Sequence, residues 1–173
     1  FTANSSDNGT PRKELVDFSY GYMLNQQCVV VKKSNLESYK SEADLVGKTA
    51  VVESGSAGQS YADGAVGDSG KVIKAAAQIN TFTEVKSGAA DFAVVDIILA
   101  QNVCGKGNYD DLCIVDAIEL ESEIYAIGFR RGSDLTAKVN EAIKTLRDNG
   151  KLLEIAKKYG LENSLSVQET ANY

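Results

Sequence analysis

Asp91-Phe92-Ala93-Val94-Val95-Asp96-Ile97-Ile98-Leu99-Ala100-Gln101 is the stretch on which the reading of this chain turns. Its first half is a short apolar run of strand type, and Asp96 leads it straight into a segment patterned as a helix. Upstream, Ile79, Phe82 and Val85 recur at helical spacing and predict a helix over 77–86, stopped by Gly88. Before it come a strand over 71–74 and a helix ending near Ala65. The turn Gly55-Ser56-Ala57-Gly58 opens that helix, after a strand over 49–52. Ser41-Glu42-Ala43-Asp44 has the form of a capping box on a helical turn that Gly47 ends, and Cys28 to Val31 is a further strand.

Downstream, strands are expected over 112–115 and 123–129, then two helices. Leu135, Val139, Ala142, Ile143 and Leu146 line one face of the first, which Asn149-Gly150 terminates. Leu152, Ile155, Ala156 and Tyr159 line one face of the second, which stops at Gly160. The last dozen residues are polar and expected to fray. Strands alternating with helices of about ten residues define an α/β chain built from βαβ units around a mostly parallel sheet. Phe1-Thr2-Ala3 reads like the end of a strand, without the leader of a secreted precursor, so the chain is expected to enter its fold partway through.

Composition narrows the function classes. The 173 residues carry a net charge of −6 and no basic cluster, which argues against a nucleic-acid surface. No apolar run approaches the length of about 20 residues that crosses a bilayer. Histidine is absent, which removes the commonest general base and the commonest metal ligand together. Of the three cysteines, Cys28 sits in an apolar run as a core residue. Cys104 and Cys113 bracket a Gly-rich loop that either leaves them as thiols or closes as a disulfide. Three thiols without a close pair make no tetrahedral zinc site, so no metal or cofactor is expected.

Six segments, in order, then resemble one family. They are Thr10-Pro11-Arg12-Lys13 with Val16-Asp17-Phe18-Ser19; Tyr22 with Cys28 to Lys33; Asp44-Leu45-Val46-Gly47-Lys48 with Val51-Val52 and Gly55-Ser56; Val85 to Gly88 with Asp91 to Asp96; Tyr125 to Arg130; and Val139 to Ile143 through Gly150. Together they are similar to the type 2 periplasmic-type solute-binding proteins of polar amino-acid ABC importers. The resemblance implies a two-lobed α/β fold clamping a ligand between its lobes. It places a remnant of the first lobe and the first crossover at 1–25, the second lobe at 26–125, and the second crossover with the returning helices at 126–173. The family's opening segment has no counterpart, so self-association or a domain swap is expected to cover the apolar faces of the last two helices.

The same resemblance implies the function: capture of a polar amino acid outside the cell or in the periplasm, in a soluble or lipid-anchored form, and delivery to a membrane ABC permease. Arg12 matches the family's carboxylate-binding arginine, whose planar fork suits both oxygens. Gly55, Ser56 and Ala57 form a turn whose backbone N–H groups, at a helix N-terminus, provide a second carboxylate contact. Asp96, at the carboxyl end of a strand, suits the ligand ammonium or caps the helix behind it. Gln26, Gln78 and Glu123 are further lining candidates. The competing readings are an extracellular sensor domain and an enzyme such as a dehydratase on the same fold. The chain by itself is expected to bind poorly, and loss of the Asp96 carboxylate in the full-length protein to abolish binding.

Overall fold

The computed structural model of the chain describes residues 2–3, 6–7 and 9–169. In chain order the elements are β1 (Ser6–Asp7), β2 (Thr10–Pro11), α1 (Arg12–Leu15), β3 (Asp17–Phe18), β4 (Gly21–Lys32), β5 (Thr49–Glu53), α2 (Ala57–Ala65), β6 (Lys71–Ala75), α3 (Gln78–Ser87), β7 (Phe92–Asp96), α4 (Ile97–Val103), β8 (Leu112–Ile114), β9 (Ser122–Tyr125), β10 (Gly128–Phe129), α5 (Leu135–Asp148), α6 (Lys151–Lys158) and β11 (Leu165–Gln168). They pack as two units, one from Phe1–Asn25 with Ser122–Tyr173 and one from Gln26–Glu121. The architecture is α/β, as the alternation of patterns predicts.

In the Gln26–Glu121 unit, β5 pairs in parallel with β6 on one side and β7 on the other. Chain order β5-α2-β6-α3-β7 therefore becomes spatial order β7-β5-β6, and the connections leave the carboxyl ends of β5 and β7 in opposite directions. That is a topological switch point, where open α/β sheets place their ligands. β4 closes the sheet beyond β7, antiparallel to it in the register Gln27↔Asp96 through Val30↔Ala93, and β8 pairs with β4.

Alternation along these strands sorts their side chains into two cores. Val29, Val31, Ala50, Val52, Phe92 and Val94 pack with Ala62 of α2 and with Val66, its C-cap. Cys28, Val30, Val51, Ala93 and Val95 pack with Phe82 and Val85 of α3. The sheet is thus covered on both faces, which is why its strands read as apolar runs rather than as alternating ones. Ile79, aligned with Phe82 and Val85 in the sequence pattern, instead stands exposed in the first turn of α3, beyond the reach of this core. The capping box at Ser41 and Asp44 forms as expected. Gly88 ends α3 at φ 85°, a conformation that side-chain-bearing residues rarely adopt.

The other unit differs from expectation in two places. Residues 165–168 do not fray but form β11, antiparallel to the first half of β4 with Leu165 opposite Met23. The single strand expected over 123–129 is two, β9 and β10, and β10 pairs with β3. Most of the apolar stripe of α5 and α6 stays in contact with solvent: Ile143 and Ala156 are buried, while Leu135, Leu146, Ile155 and Tyr159 are exposed. Thr2 bridges Tyr125, whereas Phe1 lies outside the described residues. The polar end beyond Glu169 lies outside them too.

Phe82 is fully buried between α3 and the sheet. Phe82→Ala is expected to destabilise the Gln26–Glu121 unit by about 3–5 kcal/mol. Urea denaturation followed by circular dichroism measures it, and a loss under about 1 kcal/mol would contradict this packing.

Candidate ligand-binding site

The site is built where β5 and β7 end. β5 stops at Glu53, and Gly55, at φ 76°, swings the chain into α2. Ser56 is the N-cap: its Oγ accepts from the Gln59 N–H at 3.1 Å and donates to the Glu53 carbonyl at 2.8 Å. The Ser56 N–H is itself taken by the Glu53 carbonyl at 3.3 Å. The donors with no intrahelical acceptor are therefore those of Ala57 and Gly58, the first two residues of the helix. No acidic side chain lies in this first turn, so the positive pole of the helix is not answered by its own residues.

Gly58 shows how tightly this turn is set on the sheet. A Cβ added there would stand 2.8 Å from the Val94 carbonyl oxygen and 3.1 Å from Gln27 Oε1. Only glycine lets the helix approach β7 and β4 so closely. The sequence places Gly58 in the turn, but only Gly55 to Ala57 are ligand candidates there, because the close approach to β7 depends on non-local packing.

Asp96 ends β7, partly buried, with its side chain on the same face of the sheet as Phe92 and Val94, the face that α2 covers. It occupies the N-cap position of α4 yet makes no side-chain cap. Its Oδ1 accepts from Gln27 Nε2 at 2.6 Å and its Oδ2 from Gln78 Nε2 at 2.9 Å. Gln78 Oε1 in turn accepts the Asp96 backbone N–H at 2.9 Å. Gln27 is the direct cross-strand partner of Asp96, and Gln78 is the first residue of α3. Sequence reasoning named Gln78 only as a lining candidate and passed over Gln27. The signal for Gln27 was its place beside Cys28 in a strand running antiparallel to β7, a register that sequence alone does not give.

The unit thus brings Gly55, Ser56, Ala57 and Asp96 to one edge of one sheet. Arg12 belongs to the other unit, where it opens α1 and its Nη1 donates to the Thr2 carbonyl at 3.1 Å. Glu123 lies there as well, nearly buried, accepting from Thr2 Oγ1 at 3.0 Å and from Asn25 Nδ2 at 3.4 Å. Gln26 donates through Nε2 to the Leu120 carbonyl. No cluster of histidine, cysteine or carboxylate fit to hold a metal exists among the described residues.

The three cysteines are thiols. Burial, and then the neighbouring Cys104, pushes Cys28 far up. Burial, and then Cys113, pushes Cys104 up to about 11, with Lys33 opposing. Since the thiolate is the nucleophile, Cys28 and Cys104 are expected to react slowly at neutral pH.

The profile described as bacterial extracellular solute-binding proteins, family 3, matches residues 2–162, and the chain belongs to that family. It is 35% identical over 152 residues to the arginine-binding extracellular protein ArtP of Bacillus subtilis (strain 168), with 86% of the chain aligned. It spans 58% of the length of that relative. L-cystine-binding protein TcyA of the same organism is 30% identical over 87% of the chain and 54% of its own length. Among solved structures, an amino acid ABC transporter substrate-binding protein, AbpA of Streptococcus pneumoniae bound to L-arginine, superposes with a TM-score of 0.75. The two are 28% identical, and the match covers 93% of this chain and 68% of that one. These relatives are amino-acid-binding proteins of the two-lobed α/β type, and the chain corresponds to part of them.

Two measurements check this geometry. Gly58→Ala, whose new methyl meets backbone and not a flexible side-chain end, is expected to lower the stability of the unit by about 1–3 kcal/mol in chemical denaturation. Iodoacetamide at pH 8 is expected to leave Cys28 and Cys104 unmodified in the folded protein and to alkylate them in urea; rapid native labelling of Cys28 would contradict its burial.

Proposed function

We propose that this chain captures a polar amino acid for an ABC importer, outside the cell or in the periplasm, and hands it to a membrane permease. The observation that carries the reading is the pairing, at one switch point, of an oriented carboxylate with an unanswered helix N-terminus. A free amino acid carries both charges on adjacent atoms, so its receptor needs an anion and fixed N–H donors close together. Asp96 serves the ammonium, and the amides of Ala57 and Gly58 serve the carboxylate, helped by the helix dipole. Arg12, whose planar fork fits a carboxylate bidentately, is proposed as a carboxylate partner on the family resemblance alone. The arginine named for both ArtP and AbpA makes cationic amino acids the first class to test. A lipid-anchored form outside the membrane suits the role.

The test is ligand-dependent thermal stability of the full-length protein across a panel of amino acids. With free ligand at about 100 times Kd, the gain is about 2.7 kcal/mol. Asp96→Ala is expected to abolish it for every amino acid that produces it. Absence of any shift across the panel, or a shift that survives Asp96→Ala unchanged, would contradict the proposal.

A further inference from the structure

We infer that Gln78, together with Gln27, is a positioning residue: the two carboxamides hold the Asp96 carboxylate turned away from helix α4 and toward the ligand. This deepens the reading above and rests on it for the ligand, though not for the clamp itself.

Asp96 leaves a helix-capping position unused by its side chain. Aspartate in an N-cap position ordinarily turns its oxygen onto the second or third N–H of its helix. Asp96 stands at that position and does not cap α4. Both of its oxygens are instead engaged by neutral amide donors, Oδ1 by Gln27 and Oδ2 by Gln78. Gln78 binds twice, since its Oε1 also accepts the Asp96 N–H, so one planar carboxamide grips the residue by backbone and side chain at once. Two such bonds fix the side-chain torsions of both partners, where a single bond would leave rotation open.

The two glutamines come from different elements. Gln27 is held by sheet register opposite Asp96, and it is buried. Gln78 projects from the first turn of α3, on the connection that crosses from β6 to β7. The donors are uncharged, so they orient the carboxylate without neutralising it. Each carboxylate oxygen offers about two lone-pair directions, so neither amide bond by itself exhausts the oxygen it binds. A lysine or arginine in either place would supply a charge that competes with the ligand.

Two arms separate this inference from the proposed function. In the ligand-free protein, the side-chain NH2 resonances of Gln27 and Gln78 are followed in 1H–15N spectra. Asp96→Ala is expected to shift both pairs, and Gln78→Leu to shift the Gln27 pair through the altered carboxylate. Unmoved resonances of both glutamines in Asp96→Ala would overturn the clamp, whatever the protein binds. In the second arm, affinities for L-arginine and for its deaminated analogue, which lacks the α-ammonium, are measured in the wild type, Gln78→Leu and Gln78→Glu. Loss of the hydrogen bonds is expected to reduce the preference for L-arginine over the analogue about 10-fold or more. An equal loss for both ligands would mean a merely structural role and would overturn the inference. Failure of the wild type to bind any amino acid would count against the proposed function and leave the first arm to decide the clamp.

Discussion

Strand β7 is the constraint on which the Gln26–Glu121 unit depends. It lies between a parallel neighbour, β5, and an antiparallel one, β4, and its residues are buried on both faces. The parallel pairing brings the carboxyl ends of β5 and β7 to the same edge of the sheet. The antiparallel pairing brings Gln27, one residue past the point where β4 enters the unit, to that edge. A carboxylate at the end of β7 is therefore met by a helix N-terminus after β5 and by an amide from β4. Direction of pairing alone accounts for these meetings. α3, returning from β6 to start β7, adds Gln78.

The local energetics follow from that placement. A partly buried carboxylate needs hydrogen bonds, because desolvating it without partners costs more than one cap contributes. The glutamines satisfy it, and α4 begins without the cap its sequence offers. Gly58 makes the complementary concession, giving up a side chain so that α2 can sit against β7. Both departures from ordinary helix-end chemistry occur at one edge of the sheet, where local preferences are expected to yield to function.

Much of this was legible in the residues. The strands and helices from Thr49 to Val103 follow from apolar runs and glycine stops, because a sheet covered on both faces demands such runs. The Ser41–Asp44 capping box and the Ser56 cap are local chemistry and appear where the sequence puts them. What failed was non-local. β11 was hidden because Leu165–Gln168 becomes a strand only through pairing with β4, more than a hundred positions earlier in the chain. The apolar faces of α5 and α6 were legible as stripes, but a stripe does not state how much of it will be covered. At the site, Asp96 was visible by type and place, while its partners depended on strand register and helix packing.

The central claim is that the edge formed by the ends of β5 and β7 is where an amino acid is held. Backbone and side-chain chemical shifts recorded as L-arginine is added test this most directly, since weak binding registers as well as tight. The account predicts concentrated, saturable shifts at Gly55 to Gly58, at Asp96 and at the side-chain amides of Gln27 and Gln78. Saturable shifts centred elsewhere in the Gln26–Glu121 unit, with these groups unmoved, would contradict it.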